Sequence, residues 1–334
     1  MKKIYKKKNS FVKKIFIKLC RVLGYEIIDQ NNFEIPTLDK NANENISILG
    51  EKSISIPLGE INIKRKIESL NIFFRSCSKV KLWKQNKERI FEADKDEYAL
   101  RSLNSILKSI TYFKKNFKNI YIKIYIVDDD SDENFINRIK KLLEKFNIDH
   151  ELIHLEKNKI LENNLDSNFE SLMKCFSVAK DNSKDLIYFV EDDYIHDEIC
   201  ISEMIGAYER IATQLDREIL LCPSDYPYLY ADCNPTYVFL GNKRHWRKTE
   251  QSLGTFLISK KNLDLYWKNL VQFASGKDDP AEKALHDIYN KEICLSPIPS
   301  LSIHCANINS IYGISPNINW LQLWEKNNLE NDKD

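Results

Sequence analysis

The chain has 334 residues, of which 43% are hydrophobic and 30% are charged, an ordinary globular composition that excludes wholesale disorder. It has 8 glycines, and none of them forms a GxGxxG or GxxxxGK motif, so the sequence contains neither a dinucleotide-binding fingerprint nor a P-loop. The net charge of +1 combines a basic first segment with an acidic remainder, which is unlike a nucleic-acid-binding domain with a basic folded surface.

The basic charge is concentrated in residues 1–28, which hold nine Lys or Arg and one acidic residue. Apolar residues recur there at helical spacing: Phe11, Ile15, Leu19 and Val22. This pattern predicts a basic amphipathic helix that lies on a membrane surface with its lysines near anionic headgroups. A helix packed on the body of the protein, or a frayed terminal segment, would give the same pattern.

Cysteine usage and hydropathy indicate the compartment. The 8 cysteines include no CxxC pair, and a chain of this length does not need disulfide bonds to hold its fold. No run of 18 apolar residues is present, so the sequence predicts no membrane-spanning helix. We therefore expect a cytoplasmic protein, peripheral at the inner face of the cell membrane.

Residues 29–66 are polar, rich in Asn and weakly patterned, which predicts a linker and an irregular lead-in. Beyond them, apolar runs alternate with helical patterns. Strands are predicted at 70–74, 120–127, 148–155, 186–190, 219–222, 251–259 and 298–304. Helices are predicted at 98–110, 133–146, 168–180, 197–213 and 280–290. Strands that are apolar on both faces and alternate with helices indicate an α/β fold with a mostly parallel central sheet flanked by helices.

The first of two acidic clusters directly follows the strand at 120–127. It reads Asp128-Asp129-Asp130-Ser131-Asp132. An EF-hand loop is excluded, because the chain has Glu133 and Ile139 where that loop needs Gly and Glu. A phosphatase motif of the haloacid-dehalogenase type needs Thr or Val where the chain has Asp132. A helix N-cap accounts for one or two of the acids but not for four within five residues.

The second cluster, Glu191-Asp192-Asp193, ends the strand predicted at 186–190. Three adjacent carboxylates at the end of a buried strand repel one another unless a cation or hydrogen-bond donors satisfy them. A divalent metal ion that also binds phosphate would do so, and a solvated acidic turn is the alternative. Because ligands of such sheets bind at the carboxyl ends of the strands, the two clusters predict metal or nucleotide binding there.

Both clusters resemble motifs of GT-A fold glycosyltransferases. Ile126-Val127-Asp128-Asp129-Asp130-Ser131-Asp132 is similar to the V-D-D-G-S-x-D signature of family 2 enzymes. Phe189-Val190-Glu191-Asp192-Asp193 is similar to the D-x-D motif in its E-D-D form. The resemblance spans roughly residues 69–325. It departs from the family pattern at Asp130, where Gly is usual, and at Glu191, which begins the second motif.

The resemblance implies roles for individual donor-site residues. Asp129 would bond the nucleotide base, with Asp128 supporting its loop. Glu191 would lie in the donor site, and Asp192 would face the ribose. Arg75, just beyond the first strand, would contact the base or the ribose.

The resemblance also implies a metal site and a catalytic base. Asp193 would hold Mn²⁺ or Mg²⁺ on the donor diphosphate, and His304, at the end of the late strand, would complete the metal's coordination. Asp279 is our first candidate for the carboxylate base of an inverting transfer, and Glu282 is the second. Pro280 after an acidic residue is equally typical of an ordinary helix start.

Aromatic and basic residues in the second half suggest the acceptor side. Tyr226, Trp246 and Arg247 would hold a sugar by stacking and hydrogen bonding, although such aromatics also occur in cores. Gly254 interrupts the strand at 251–259, which suits the close approach of a ligand.

Together these features predict an N-terminal helix at 1–28, a linker at 29–66 and a glycosyltransferase domain at 67–334. The domain would have a nucleotide-sugar half at 67–196 and an acceptor half at 197–334. Its expected activity is metal-dependent, inverting transfer of a sugar from a nucleotide-diphosphate donor to a glycan or lipid-linked acceptor in cell-surface polysaccharide synthesis. Two alternatives stay open: a Mg²⁺-dependent phosphohydrolase that uses Asp128 and Asp130 and needs a helix-borne Lys between the clusters, or a catalytically inactive GT-A binding module.

Overall fold

The computed structural model describes residues 11–25, 52–55, 59–78, 89–117, 119–155, 164–231, 235–306 and 308–329. The helices are α1 (Phe11–Val22), α2 (Lys95–Asn116), α3 (Glu133–Phe146), α4 (Asn164–Asn182), α5 (Cys200–Leu215), α6 (Lys260–Leu265), α7 (Trp267–Phe273), α8 (Lys283–Tyr289) and α9 (Trp320–Lys326). The basic stretch 1–10 and most of the predicted linker lie outside the described residues.

The strands follow the predicted alternation with the helices. They are β1 (Lys52–Ser55), β2 (Gly59–Asn62), β3 (Ser69–Ser76), β4 (Tyr121–Asp129), β5 (His150–Leu155), β6 (Leu186–Glu191), β7 (Tyr194–His196), β8 (Leu220–Leu221), β9 (Val238–Leu240), β10 (His245–Thr249), β11 (Phe256–Ser259), β12 (Cys294–Ile298) and β13 (Ser302–His304).

Nine of these strands form one sheet in the order β5-β4-β3-β6-β11-β8-β12-β10-β9. Strands β3 to β6 are parallel to one another, and β8 is parallel to β12. Strands β10 and β11 run antiparallel to their neighbours. The sheet is therefore mixed and mostly parallel, and the predicted α/β fold class is confirmed.

Strand β3 shows how helices cover both faces of the sheet. Leu70, Ile72 and Phe74 pack in a core cluster with residues of α2, α3 and α5, whereas Phe73 packs in a second cluster with residues of α4, α7 and α8. Successive side chains of a strand point to opposite faces, so the two clusters lie on opposite sides. Because helices cover both faces of β3, its apolar residues do not alternate with polar ones.

The body of the protein begins slightly before the predicted start at residue 67. Ile63 and Ile67 are buried. Between them, Arg65 forms ion pairs with Asp185 at 2.5 Å and with Glu218 at 2.9 Å. Arg65, inside the predicted linker, is therefore paired with groups on the folded domain.

The late strand predicted at 298–304 is divided between two sheets. Strand β12 ends at Ile298 in the large sheet, and β13 pairs with β7 in a two-stranded ribbon. Pro299 lacks a backbone N–H, which interrupts the ladder at this point. As a result, His304 lies opposite Tyr194 and next to the end of the second acidic cluster.

The described helices include none that is both long enough and apolar enough to cross a membrane.

Candidate functional site

The two acidic clusters meet at the carboxyl edge of the large sheet. In the parallel pairing of β3 with its neighbours, Ser76 lies opposite Asp128 and Arg75 lies opposite Glu191. Because β4 and β6 flank β3 on its two sides, the residues that follow them converge on one edge. The sheet therefore brings together the motifs that the sequence analysis selected.

The side chain of Asp128 is fully buried below the first loop. Its Oδ1 accepts a hydrogen bond from Ser76 Oγ at 2.9 Å, and its Oδ2 accepts one from the Ser131 backbone N–H at 3.0 Å. Both carboxylate oxygens thus stabilise the loop. Asp130 has a φ of 51°, a left-handed conformation that Asp tolerates better than most residues and that explains why Gly is usual there.

Glu191 is paired with a cation from the neighbouring strand. Arg75 Nη2 lies 2.9 Å from Glu191 Oε1, and Arg75 Nη1 donates to the Asn168 carbonyl oxygen at 2.9 Å. The Glu191 backbone N–H donates to Thr255 Oγ1 at 3.1 Å. Burial raises the pKa of Glu191, although Arg75 counteracts this shift. The guanidinium predicted to contact the base or the ribose is therefore bound to Glu191 and Asn168.

Gly254 provides the space for this carboxylate. A Cβ at this position would lie 2.9 Å from Cδ and from Oε1 of Glu191, closer than such atoms approach in folded proteins. The close approach that the sequence predicted at Gly254 is thus made by a side chain of the protein itself.

Asp192 is held by a buried lysine that the sequence analysis did not select. Lys95 Nζ, at the start of α2, lies 3.5 Å from Asp192 Oδ2, and the Cys77 backbone N–H donates to the same oxygen at 3.1 Å. Burial raises the pKa of Asp192, and Lys95 opposes this. Burial by itself would lower the pKa of Lys95, but the nearby carboxylates raise it.

Asp193 faces His304 across the β7–β13 ribbon. His304 Nε2 lies 3.4 Å from Asp193 Oδ2, and the His304 ring stacks on Tyr194 with centroids 4.8 Å apart. His304 Nδ1 lies 2.9 Å from the Tyr312 carbonyl oxygen. Burial by itself would lower the pKa of His304, but Asp193 outweighs it and raises the pKa.

This pair has the chemistry of a partial metal site. A hydrogen bond from Nδ1 to a carbonyl oxygen presents Nε2 outward, which is the usual orientation of a metal-ligating histidine. A carboxylate oxygen and an imidazole nitrogen suit Mn²⁺. Among the described residues, no group of three or more His, Cys, Asp or Glu could hold a metal ion. A metal ion held by this pair would need further ligands from a bound substrate or from water.

The three residues predicted to bind the acceptor are buried. The Trp246 side chain has no exposed surface, and its indole N–H donates to Glu203 Oε1 at 3.1 Å. Arg247 is ion-paired with Asp225 at 2.5 Å. Tyr226 is also fully buried, and its hydroxyl bonds to that of Tyr194 at 2.6 Å.

Their burial corrects the prediction of a sugar platform. A ring without exposed surface cannot stack on a sugar, so Trp246 and Tyr226 are core residues. Arg247 stabilises the buried carboxylate of Asp225. Trp246 and Arg247 belong to strand β10 of the large sheet, and helices cover both faces of this sheet.

The two candidates for the catalytic base differ in position. Asp279 is exposed, whereas Glu282 is half-buried and caps α8. The charge of Glu282 is close enough to the site to contribute to the raised pKa of Glu191. It also acts with burial to raise the pKa of Tyr312 to about 12. Of the two candidates, Glu282, the second choice from the sequence, is therefore the one whose charge acts on the acidic cluster.

A separate cavity of about 560 Å³ lies between α2, α9 and the turn after β7. Lys108, Tyr112 and Lys326 contribute to its lining. None of the predicted site residues lines this cavity, so it is separate from the site described above.

No family model matches the sequence, and no curated protein matches it. Among solved structures, S. aureus TarS 1-349 in complex with UDP is 11% identical, with a TM-score of 0.37 over 62% of this chain and 54% of that one. The glycosyltransferase GlyE of Streptococcus pneumoniae is 11% identical, with a TM-score of 0.33 over 66% and 44%. A UDP-glucose pyrophosphorylase complexed with UDP-glucose is 10% identical, with a TM-score of 0.37 over 70% and 92%.

The chain spans 29 to 48% of the length of the first three TarS structures that it matches. At these identities and scores the similarity describes the backbone alone. We therefore base the proposed function on the geometry of the site.

Proposed function

We propose that this protein is a glycosyltransferase that takes a sugar from a nucleotide-diphosphate donor. The observation that supports this proposal is the convergence of two acidic motifs on one sheet edge, with Asp193 facing His304 beside them. Adjacent, partly buried carboxylates lie at an edge where α/β sheets bind ligands. A nucleotide-sugar offers hydroxyls that carboxylates bind, and its diphosphate offers oxygen ligands for a divalent metal ion held at the site.

The donor occupies the carboxyl edge in this proposal. Asp129 bonds the base, and Asp192 bonds the ribose hydroxyls, since a carboxylate accepts hydrogen bonds from hydroxyl groups. Lys95 keeps Asp192 ionised for that purpose. Arg75 acts indirectly in this proposal, because its guanidinium is paired with Glu191 and orients that carboxylate.

Asp193 and His304 hold Mn²⁺ or Mg²⁺ in this proposal. When bound, the metal neutralises the charge that develops on the departing nucleoside diphosphate. The carbonyl oxygen of Tyr312 keeps the His304 ring in place through Nδ1, and stacking on Tyr194 fixes the plane of the ring.

Glu282 is our choice for the catalytic base, in preference to Asp279. A base must lie within reach of the acceptor hydroxyl as it attacks the anomeric carbon. Its charge contributes to the raised pKa of Glu191, and its side chain is less exposed than that of Asp279. Deprotonation of the acceptor by this carboxylate, with attack opposite the leaving diphosphate, gives an inverting transfer to a glycan or lipid-linked acceptor.

The phosphohydrolase alternative is less favoured by the contacts of Asp128. A nucleophilic aspartate needs a free carboxylate oxygen facing the substrate, whereas both oxygens of Asp128 hold the loop. The alternative also needs a lysine on the helix between the clusters. On α4, Lys180 lies over the Trp267 ring at 4.0 Å and Lys174 is exposed.

Calorimetric titration with UDP, GDP, CDP and dTDP, each with and without Mn²⁺, tests the proposal. We expect one nucleotide to bind in the presence of metal, and Asp193→Ala to abolish that binding. Asp264→Ala, on the exposed surface of α6, is the matched control and should bind like the wild type. If none of the four nucleotides binds in either condition, the proposal is wrong.

A further inference from the structure

Helix α1 has an apolar face that the other described residues of the chain leave exposed. Sixteen large apolar side chains are strongly exposed in the described part of the chain, and eight of them lie within residues 11–25. They are Phe11, Val12, Ile15, Phe16, Leu19, Val22, Leu23 and Tyr25. None of the core clusters of the described residues includes a residue of α1. An apolar patch concentrated in this way marks an interaction surface.

The helical geometry gathers seven of these residues on one side. At 3.6 residues per turn, Phe11 to Leu23 place all their exposed large apolar side chains within an arc of about 140°. By the same geometry the positions of Lys18 and Arg21 fall outside this arc. The helix therefore has one uninterrupted apolar side, and its remaining positions hold the basic residues together with Ile17 and Cys20.

Charge identifies what covers the apolar side. Residues 1–28 contain nine basic residues and one acidic residue, so this segment is strongly cationic. A second copy of the helix would bring two such segments together, which like-charge repulsion opposes. An anionic lipid surface meets both features, because its headgroups attract the basic residues and its acyl boundary accepts the apolar ones.

The length of the helix determines its orientation. Its 12 residues extend about 18 Å at 1.5 Å per residue, well short of the roughly 30 Å hydrocarbon core of a bilayer. A helix of this length with charged residues on its other side lies in the plane of the interface. We propose that α1 docks the protein on an anionic membrane surface, with Phe11, Phe16 and Leu19 inserted among the lipids.

Vesicle flotation of the full chain tests this inference. Vesicles of phosphatidylcholine containing phosphatidylglycerol should carry the protein upward, whereas vesicles of phosphatidylcholine alone should not, and added salt should weaken the binding. Phe16→Asp and the double variant Lys18→Glu/Arg21→Glu should each weaken the partition at least about tenfold. Leu265→Asp changes a similarly exposed residue of α6, where Leu265 is 64% exposed and Phe16 is 56% exposed, and should bind like the wild type.

Other outcomes would overturn the inference. Equal binding to neutral vesicles, or unchanged binding by both α1 variants, would show that α1 is not the contact. Sedimentation could instead reveal a concentration-dependent dimer that Phe16→Asp dissociates. In that case the apolar face of α1 would bind a second copy of the chain and not a membrane. Nucleotide binding by the same variants is measured in a separate titration. Failure of the glycosyltransferase proposal would therefore not change the conclusion on membrane binding.

Discussion

Lys95 Nζ lies 3.5 Å from Asp192 Oδ2, and both side chains are largely withdrawn from solvent. With Arg75 beside Glu191 and His304 beside Asp193, each of the three consecutive carboxylates has a basic side chain next to it. The repulsion expected among adjacent buried carboxylates is therefore relieved by the protein itself. A metal ion, in our proposal, would act on the diphosphate and not only on these charges.

We expect Lys95→Met to destabilise the protein in a pH-dependent way. Without Lys95, the Asp192 carboxylate loses the positive charge that most strongly offsets the cost of its burial. Its pKa, already raised by burial, rises further. A carboxyl group with a folded-state pKa above its unfolded one lowers stability as the pH rises through that interval. The loss should therefore be complete at neutral pH, about 1–3 kcal/mol, and should shrink as the pH falls toward the ordinary carboxyl range.

Urea unfolding at several pH values measures this effect. Lys95→Arg keeps the charge and should recover most of the stability, and Lys261→Met, on the exposed surface of α6, should have little effect at any pH. A loss of the same size at all pH values would mean that Lys95 acts by packing and not by its charge.

A methyl group at Gly254 should disturb Glu191. In Gly254→Ala, the Cβ would stand 2.9 Å from the Glu191 carboxyl carbon, so the carboxylate must move away from Arg75. Overpacking of this kind costs about 1–3 kcal/mol, and we expect weaker nucleotide binding in titration. The double variant Gly254→Ala/Glu191→Asp has a shorter acid and should recover part of the affinity. If Gly254→Ala binds nucleotide normally, the orientation of Glu191 has no importance for the donor.

The secondary structure could be predicted where local signals agree. Helix α3 covers the predicted residues 133–146, because Asp132 caps its first turn by accepting from the Phe135 N–H at 2.9 Å and Asn147 ends it in a left-handed conformation. Strand β10 was not predicted, because its mixture of basic and aromatic residues has no simple alternation. Its pairing with β12 comes from a distant part of the chain.

The site, like the secondary structure, could be predicted only where the signal is local in the sequence. The acidic motifs are local in the sequence, and their placement at strand ends follows from the alternation of strands and helices. Lys95 meets Asp192 only through the tertiary fold, and nothing in its local sequence indicates that contact. Burial is likewise a property of the whole structure, which is why Trp246 and Tyr226 were assigned to a surface.

Trp246→Phe should lower stability without affecting the donor site. The variant loses the indole N–H that satisfies the buried Glu203 carboxylate at 3.1 Å, although the Asn242 and Arg244 backbone N–H groups still donate to it. We expect a loss of about 1–3 kcal/mol in the free energy of unfolding and an unchanged nucleotide affinity. Unchanged stability combined with reduced sugar transfer would restore the original prediction of an acceptor contact.

Glu282→Gln should separate chemistry from binding. If Glu282 is the base, removing its charge should slow the release of nucleoside diphosphate by about 10²–10⁴-fold, while nucleotide affinity stays the same because no donor contact is lost. The assay uses the nucleotide-sugar whose base the titrations identify, with water as the acceptor, so it does not require the natural acceptor. Asp279→Asn is the matched control, since Asp279 is exposed whereas Glu282 influences Glu191. The opposite result would be a slow Asp279→Asn variant and an active Glu282→Gln variant. It would make Asp279 the base and would mean that the N-terminal end of α8 turns toward the acceptor when the donor is bound.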